Sequence, residues 1–143
     1  MSEQNKAVVR RLIEDHWNAK NHALVSELFA PTISFYTPDG VLNGFDGAST
    51  LLQAYATAFP DFHLVVDDVV AEADKVAFRW AFNGTHRGPF GDIRATGKRV
   101  SVSNAIGIVR VAAGKINEAH LCWDRYALLQ QLGVLDASSS ARA

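Results

Sequence analysis

The chain has 143 residues, 48% hydrophobic and 20% charged, and its 14 basic and 15 acidic side chains leave a formal net charge of −1. These values are typical of a soluble protein with one core, and we predict a single domain over residues 1–135 and a disordered tail over 136–143. The balanced charge offers no basic field to nucleic acid or to an anionic membrane. No secretory signal and no membrane-spanning apolar run is found, and the single Cys122 excludes an intramolecular disulfide, so we expect a cytoplasmic protein.

Apolar residues recur at helical spacing in the first 60 residues, which indicates amphipathic helices with one buried face. Proline residues, which disfavour a helical residue before them, end two of these segments at Pro31 and Pro60. The turn Thr37–Gly40 ends a short alternating stretch. We predict, in chain order, a helix Gln4–Asn18, a helix Ala23–Phe29, a strand Ile33–Tyr36 and a helix Asp46–Phe59.

The hydrophobic period changes from helical to twofold after residue 61, which is typical of strands. Tight turns at 73–74 and 112–114 join consecutive strands and make them antiparallel. Helices followed by such a meander predict an α+β fold, a cone-shaped α+β barrel with the N-terminal helices packed in a curved antiparallel sheet. The predicted strands are Phe62–Glu72, Lys75–His86, Arg99–Val111 and Lys115–Arg125, with a short helix Tyr126–Leu132 after them.

Asp124 lies among apolar residues at the end of the last predicted strand, where a buried charge would be costly. If Val111 pairs with Lys115, Asp124 falls opposite Val102 on the inner face, with Asn104 as a diagonal neighbour. Desolvation there would raise the pKa of the carboxyl group and make it a usable general base and acid. We therefore predict Asp124 as the catalytic residue, with Asn104 and His86 as polar partners.

Aromatic and polar side chains on the same inner face are predicted to bind the substrate. A metal site is not expected, because Glu118, His120 and Asp124 would be too far apart along an extended strand to share an ion. The opposite face of the sheet is rich in small and polar side chains and is predicted to pair with a second copy of the chain in a homodimer. The predicted substrate-binding residues are His120, Trp80, Phe82, Trp17, Tyr55 and Tyr36.

A series of short motifs resembles one known family in order and spacing, over Val8 to Val134. The motifs are Phe59–His63, Gly84–Gly88, Ala95–Lys98, Gly114–Glu118, Trp123–Asp124 and Gln131–Gly133. The family they resemble is the SnoaL-like polyketide cyclase (ester cyclase) family of the nuclear-transport-factor-2-like superfamily of α+β barrels.

The resemblance implies a cofactor-free enzyme that closes a ring of an aromatic polyketide ester by intramolecular aldol condensation. It also implies that the family's acid/base aspartate is Asp124 here. His120 stands where many members carry tryptophan, which predicts a more polar pocket. Relatives on this scaffold hydroxylate, open epoxides or isomerise ketosteroids, so the fold leaves these alternatives open. A third reading is a non-catalytic module that binds a small apolar ligand.

Overall fold

The computed structural model describes residues 2–135, so the predicted tail 136–143 lies outside the described residues. The first helix continues into a wider π-helical stretch, Leu12–Asn18, and a single 3₁₀ turn, His22–Leu24, precedes the second. No helix in the described range is long and apolar enough to cross a bilayer. The helices are α1 Ser2–Arg11, α2 Val25–Leu28, α3 Gly44–Ala58 and α4 Arg125–Gln131, and the strands are β1 Phe29–Thr37, β2 Gly40–Asn43, β3 His63–Glu72, β4 Lys75–Thr85, β5 Arg99–Ala112 and β6 Lys115–Cys122.

One six-stranded sheet in the order β2-β1-β6-β5-β4-β3 forms the body of the fold. Four of its five strand pairs are antiparallel, but β1 and β6 run parallel. The α+β class is thus confirmed, whereas an entirely antiparallel sheet is wrong. The parallel pair arises because β1, which begins at Phe29, lies beside β6, a strand some 80 residues later in the chain. No local turn signal reports a pairing between segments so far apart.

The helices cover one face of the sheet and bury the core against it. The first helix packs on β3 and β4, α3 packs on β1 and β2, and α4 packs on β5. Leu28, Leu52, Phe59 and Ile116 are among the side chains fully removed from water. Burial of each such side chain contributes about 1.5–3 kcal/mol to folding.

The π-helical stretch after α1 was not expected, since the apolar spacing predicted one regular helix to Asn18. Its wider turn places Leu12, Ile13 and Trp17 toward the sheet. At its end the Asn18 side chain donates to the Leu64 carbonyl at 2.9 Å and accepts from the Leu64 N–H at 2.7 Å. These two bonds tie the helix to the edge strand β3. Such stretches of π-helix are frequent at functional sites.

A β-bulge at Asn104 interrupts the pairing of β5 with β4. Trp80 pairs with Ala105 and Phe82 pairs with Val102, so three residue steps along β5 lie opposite two residue steps along β4. Asn104 has a φ of 60°, the left-handed conformation that asparagine tolerates better than most residues. The extra residue reverses which side of the sheet each later side chain faces.

The bulge corrects the predicted faces of β5. Asn104, Ile106 and Ile108 are exposed on the outer face, so the prediction that Asn104 neighbours Asp124 on the inner face is wrong. The first inner positions beyond the bulge, Ala105 and Gly107, are small instead. A Cβ added at Gly107 would lie 2.6 Å from the Phe78 ring, so the aromatic side chain of β4 fills that space. A glycine at position 107 is therefore a packing requirement.

We expect Asn104→Val to lower the free energy of unfolding by about 1–2 kcal/mol, because a β-branched side chain is strained in the left-handed conformation. Asn104→Gly is the matched control and should avoid that cost. Urea denaturation followed by tryptophan fluorescence measures both. Equal stability of the two variants would contradict the assigned bulge.

Candidate active site

An apolar cavity of about 50 Å³ lies between the sheet, the π-helical stretch, α3 and α4. This volume accommodates about four waters, which is far below the roughly 300–1,000 Å³ of pockets that hold drug-sized ligands. Trp17, Tyr55, Trp80 and Phe82 line it, so these four lie in the wall as expected, and their binding of substrate stays a prediction. The complete lining is Leu12, Ile13, Trp17, Tyr55, Leu64, Phe78, Trp80, Phe82, Val102, Ala105, Leu121, Trp123 and Leu128.

The Tyr55 ring is the centre of the aromatic packing around the cavity. It lies 5.3 Å from Phe90, 5.6 Å from Trp123, 5.9 Å from Phe82 and 6.4 Å from Trp17, centroid to centroid. None of these contacts is face-to-face, and tilted or edge-on geometry is the favourable arrangement for such rings. These rings therefore close this end of the cavity with a tightly packed apolar wall.

The Tyr55 hydroxyl is the link between the cavity wall and a charged group. It donates to Asp39 Oδ2 at 2.9 Å, in the turn between β1 and β2. Asp39 in turn forms an ion pair with Arg125, whose guanidinium lies 5.5 Å from the Phe90 ring. Burial and then the Asp39 carboxylate raise the pKa of Tyr55 well above its usual range, while Arg125 and Trp123 oppose part of that rise. Tyr55 therefore stays protonated at neutral pH.

Asp124 does not lie in the cavity. Strand β6 ends at Cys122, and the exposed Asp124 is the N-cap of α4, where its Oδ1 accepts from the Ala127 N–H at 2.8 Å. The predicted burial of this carboxyl group is wrong, because aspartate just before a helix satisfies a free backbone N–H. A buried catalytic base thus has no support from the geometry at this position.

The predicted register of the last hairpin is also wrong. Ala112 pairs with Lys115, and a shift between Arg110 and Val111 then leaves Cys122 opposite Ile106. Residues 119, 121 and 123 face inward, whereas 120, 122 and 124 are exposed. The sequence carries this signal, because alanine, leucine and tryptophan are the more apolar of the two alternating sets.

His120 and Tyr36 lie on the outer face of the sheet, so their predicted place in the pocket is wrong. Their rings stack on each other at 4.6 Å, and Tyr36 is 41% exposed. His120 Nε2 lies 3.6 Å from Glu118 Oε1 on the same face. Within residues 2–135 no three His, Cys, Asp or Glu side chains are grouped to hold a metal ion.

His86 is fully buried, but it lies outside the cavity wall. Its Nδ1 accepts from the Thr96 N–H at 3.1 Å and lies 3.0 Å from Thr96 Oγ1. The Nδ1 atom is therefore unprotonated in the neutral ring, and burial lowers the His86 pKa, which keeps the ring neutral. These contacts fix the start of the 87–98 loop, and the predicted contact with a catalytic Asp124 has no geometric support.

Trp123, which the sequence analysis did not select, contributes a polar atom to the lining. Its Nε1 is buried and has no hydrogen-bond partner among the described residues. The indole follows Leu121 in the inward-facing alternation of the last strand, which is the signal that identifies it.

A family model described as SnoaL-like polyketide cyclase matches residues 7–132. The chain belongs to the SnoaL-like polyketide cyclase family. The resemblance stated from the motifs is confirmed, and the fold is that of the NTF2-like, ketosteroid isomerase-like proteins. Family membership supports a function of the general polyketide cyclase type. A comparison with curated proteins gives no match.

Solved structures agree with the family. AclR from Streptomyces galilaeus, described as a proposed hydroxylase, is 29% identical, with 95% of this chain and 100% of that chain covered and a TM-score of 0.83. IdmH from Streptomyces antibioticus, described as a proposed polyketide cyclase, is 27% identical, with 91% and 99% covered and a TM-score of 0.79. A SnoaL-like protein from Jannaschia sp. CCS1 shares the fold, with 22% identity, 94% and 95% coverage and a TM-score of 0.85.

We expect Asp124→Ala to lower the free energy of unfolding by about 1 kcal/mol, because α4 loses its N-cap. Asp124→Asn should retain nearly all of the stability, since asparagine caps a helix about as well as aspartate. Chemical denaturation of the three proteins compares them. A large loss in the asparagine variant would show that the charge has a role beyond the cap.

Proposed function

We propose that this protein is a cofactor-independent polyketide cyclase that closes a ring in an aromatic polyketide ester by intramolecular aldol condensation. The observation that carries the proposal is the apolar cavity with the Tyr55 hydroxyl in its wall, hydrogen-bonded to Asp39. Family membership supports the reaction class, and the apolar lining supports a hydrophobic small-molecule substrate.

The Tyr55–Asp39 pair takes the acid/base role in this proposal. Asp39 is a carboxylate with a hydrogen bond to a cavity-lining group, and Tyr55 carries the connecting proton. A C–H proton between two carbonyl groups passes to Tyr55 Oη while the hydroxyl proton moves to Asp39. The carbanion then attacks the second carbonyl carbon, and the new alkoxide takes the proton back by the reverse path. No external oxidant or reductant is needed.

The walls contribute by excluding water and by folding the substrate. A flexible polyketide closes its ring faster when the two reacting carbons are held together, since much of the entropic cost is then met on binding. The 50 Å³ cavity is too small for an aromatic polyketide. Binding of the substrate therefore requires the aromatic side chains at the Tyr55 end to move apart.

We expect Tyr55→Phe to lower the rate of ring closure by about 10²-fold or more, because it removes the proton-transferring hydroxyl and keeps the ring. Asp124→Asn is the matched control and should retain the wild-type rate. Product formation from an aromatic polyketide ester, measured by liquid chromatography with and without oxygen, tests both. An unchanged rate in Tyr55→Phe, or a loss confined to Asp124→Asn, would reject the pair.

Two alternatives have specific support. Similarity to AclR favours a hydroxylase or another reaction on a related hydrophobic ring system, in which case turnover would depend on oxygen.

The described cavity lining holds no carboxylate or imidazole, which favours a module that binds a ligand without turnover. In that case Tyr55→Phe would change affinity only, and no product would form in the wild type.

We also propose that the outer face of the sheet pairs with a second copy of the chain. One residue from each strand forms a continuous row across this face, called here the outer band, and ion pairs of Arg110 with Glu118 and of Arg79 with Asp67 flank it. These charges are paired within the chain, so two copies would meet without net repulsion. The outer band is Val41, Tyr36, His120, Ile108, Ala77 and Val70.

The dimensions of this face match a stable interface. Six strands at about 4.8 Å spacing span about 29 Å, and a square patch of that width is close to the roughly 800 Å² that each partner buries in a standard interface. Val41, Ile108 and Val70 are 56%, 44% and 59% exposed. Apolar side chains at the centre with charges around them are the usual anatomy of such a contact.

We expect Ile108→Glu to convert a dimer into a monomer, because a charge at the centre of the outer band would be buried without a partner. Ala54→Glu, on the exposed face of α3, is the control and should leave the mass unchanged. Light scattering during size-exclusion chromatography at micromolar concentration measures both. A monomeric wild-type mass would reject the dimer.

A further inference from the structure

Trp123 presents a buried hydrogen-bond donor that has no acceptor among the described residues. Its ring is part of the cavity lining, and its Nε1 has no partner of acceptable geometry within residues 2–135. The indole is close enough to Tyr55 to offset part of the rise in the Tyr55 pKa, but it makes no regular hydrogen bond there. Such an unpaired buried group is destabilising, and proteins seldom retain one without a use.

The surroundings of this donor define what can satisfy it. The lining side chains next in the sheet are apolar, among them Leu121, Ala105 and Val102, and the nearby Tyr55 oxygen, which donates to Asp39, is not in hydrogen-bonding geometry with the indole N–H. An indole N–H donates and cannot accept, so the missing partner is an acceptor. The apolar walls make an ionised ligand group costly, so the acceptor is a neutral oxygen.

We propose that Trp123 Nε1–H donates to a carbonyl oxygen of the bound substrate and so acts as its carbonyl-recognition residue. This inference rests on the proposed function and specifies its substrate, a hydrophobic ketone or ester with a carbonyl beside Tyr55. The Trp123 and Tyr55 ring centroids are 5.6 Å apart, at 90° to each other. A carbonyl held by the indole therefore lies next to the Tyr55 side chain, and in the proposed geometry its neighbouring C–H group faces the Tyr55 hydroxyl.

The same bond would assist the reaction. When the proton leaves that carbon, negative charge moves onto the carbonyl oxygen, and a donor already in place stabilises it more strongly than it stabilised the neutral carbonyl. Trp123 would then stabilise the enolate more strongly than the neutral substrate. It would raise the rate of ring closure as well as the affinity for the substrate.

A pair of isosteric probes tests the inference without knowledge of the natural substrate. Acetophenone and α-methylstyrene have nearly the same shape, but only acetophenone has a carbonyl oxygen. We expect the wild-type protein to bind acetophenone about tenfold more tightly than α-methylstyrene. In ¹H–¹⁵N spectra acetophenone should shift the Trp123 indole cross-peak downfield, and α-methylstyrene should not.

Two variants serve as matched controls. Trp123→Phe should bind both probes with nearly equal affinity, because the donor is gone and the aromatic wall is kept. Trp17→Phe also removes a lining indole, and it should weaken both probes while keeping their ratio. The wild-type spectra provide an independent readout if Trp123→Phe fails to fold.

The outcomes separate this inference from the proposed function. Equal binding of the two probes to the wild type, or an unmoved Trp123 cross-peak in the acetophenone complex, would overturn the carbonyl contact and leave the cavity as a ligand site. Failure of both probes to reach the cavity would count against the contact and the proposed function together. A tenfold preference that survives in Trp123→Phe would assign the discrimination to another group and reject Trp123.

Discussion

The cavity depends on one constraint, the alternation of side chains between the two faces of the sheet along β5 and β6. A bulge at Asn104 interrupts this alternation in β5. A sheet has two faces, and one extra residue exchanges them for the rest of a strand. Beyond the bulge Ala105 and Gly107 face inward, so the Phe78 ring and Leu121 have room between the sheet and the helices. Ile106 and Ile108 are left outside, where they form much of the exposed apolar face.

The sequence predicted those parts of the fold that local signals control. Periodicity located the helices and five of the six strands, all but β2, and alternation in β4 placed Trp80 and Phe82 in the cavity wall. The parallel pairing of β1 with β6 could not be seen, because it joins segments far apart in the chain. Asp124 was misplaced for a different reason, since its predicted position rested on an assumed pairing of Val111 with Lys115, while the more apolar set at 119, 121 and 123 indicated the opposite face.

Because Asp124 is exposed, the proposed acid/base chemistry is assigned to a group on α3. The Tyr55 hydroxyl combines two properties that Asp124 lacks here, a place in the cavity wall and a hydrogen bond to a carboxylate outside it. No sequence pattern links Asp39 to Tyr55, because the contact depends on how the turn between β1 and β2 lies against α3. Tertiary packing brings the two together, and their separation in the chain hides the pair.

Asp39 also connects the chemistry with access to the cavity. Its second oxygen pairs with Arg125 at the start of α4, whose guanidinium lies near the Phe90 ring of the 87–98 loop. The contacts of this one carboxylate therefore hold the β1–β2 turn, α3 and α4 together at the Tyr55 end. A cavity of about 50 Å³ must widen to admit a polyketide. Widening at this end would loosen contacts that also orient the proposed proton path, so binding and catalysis share the same hydrogen bonds.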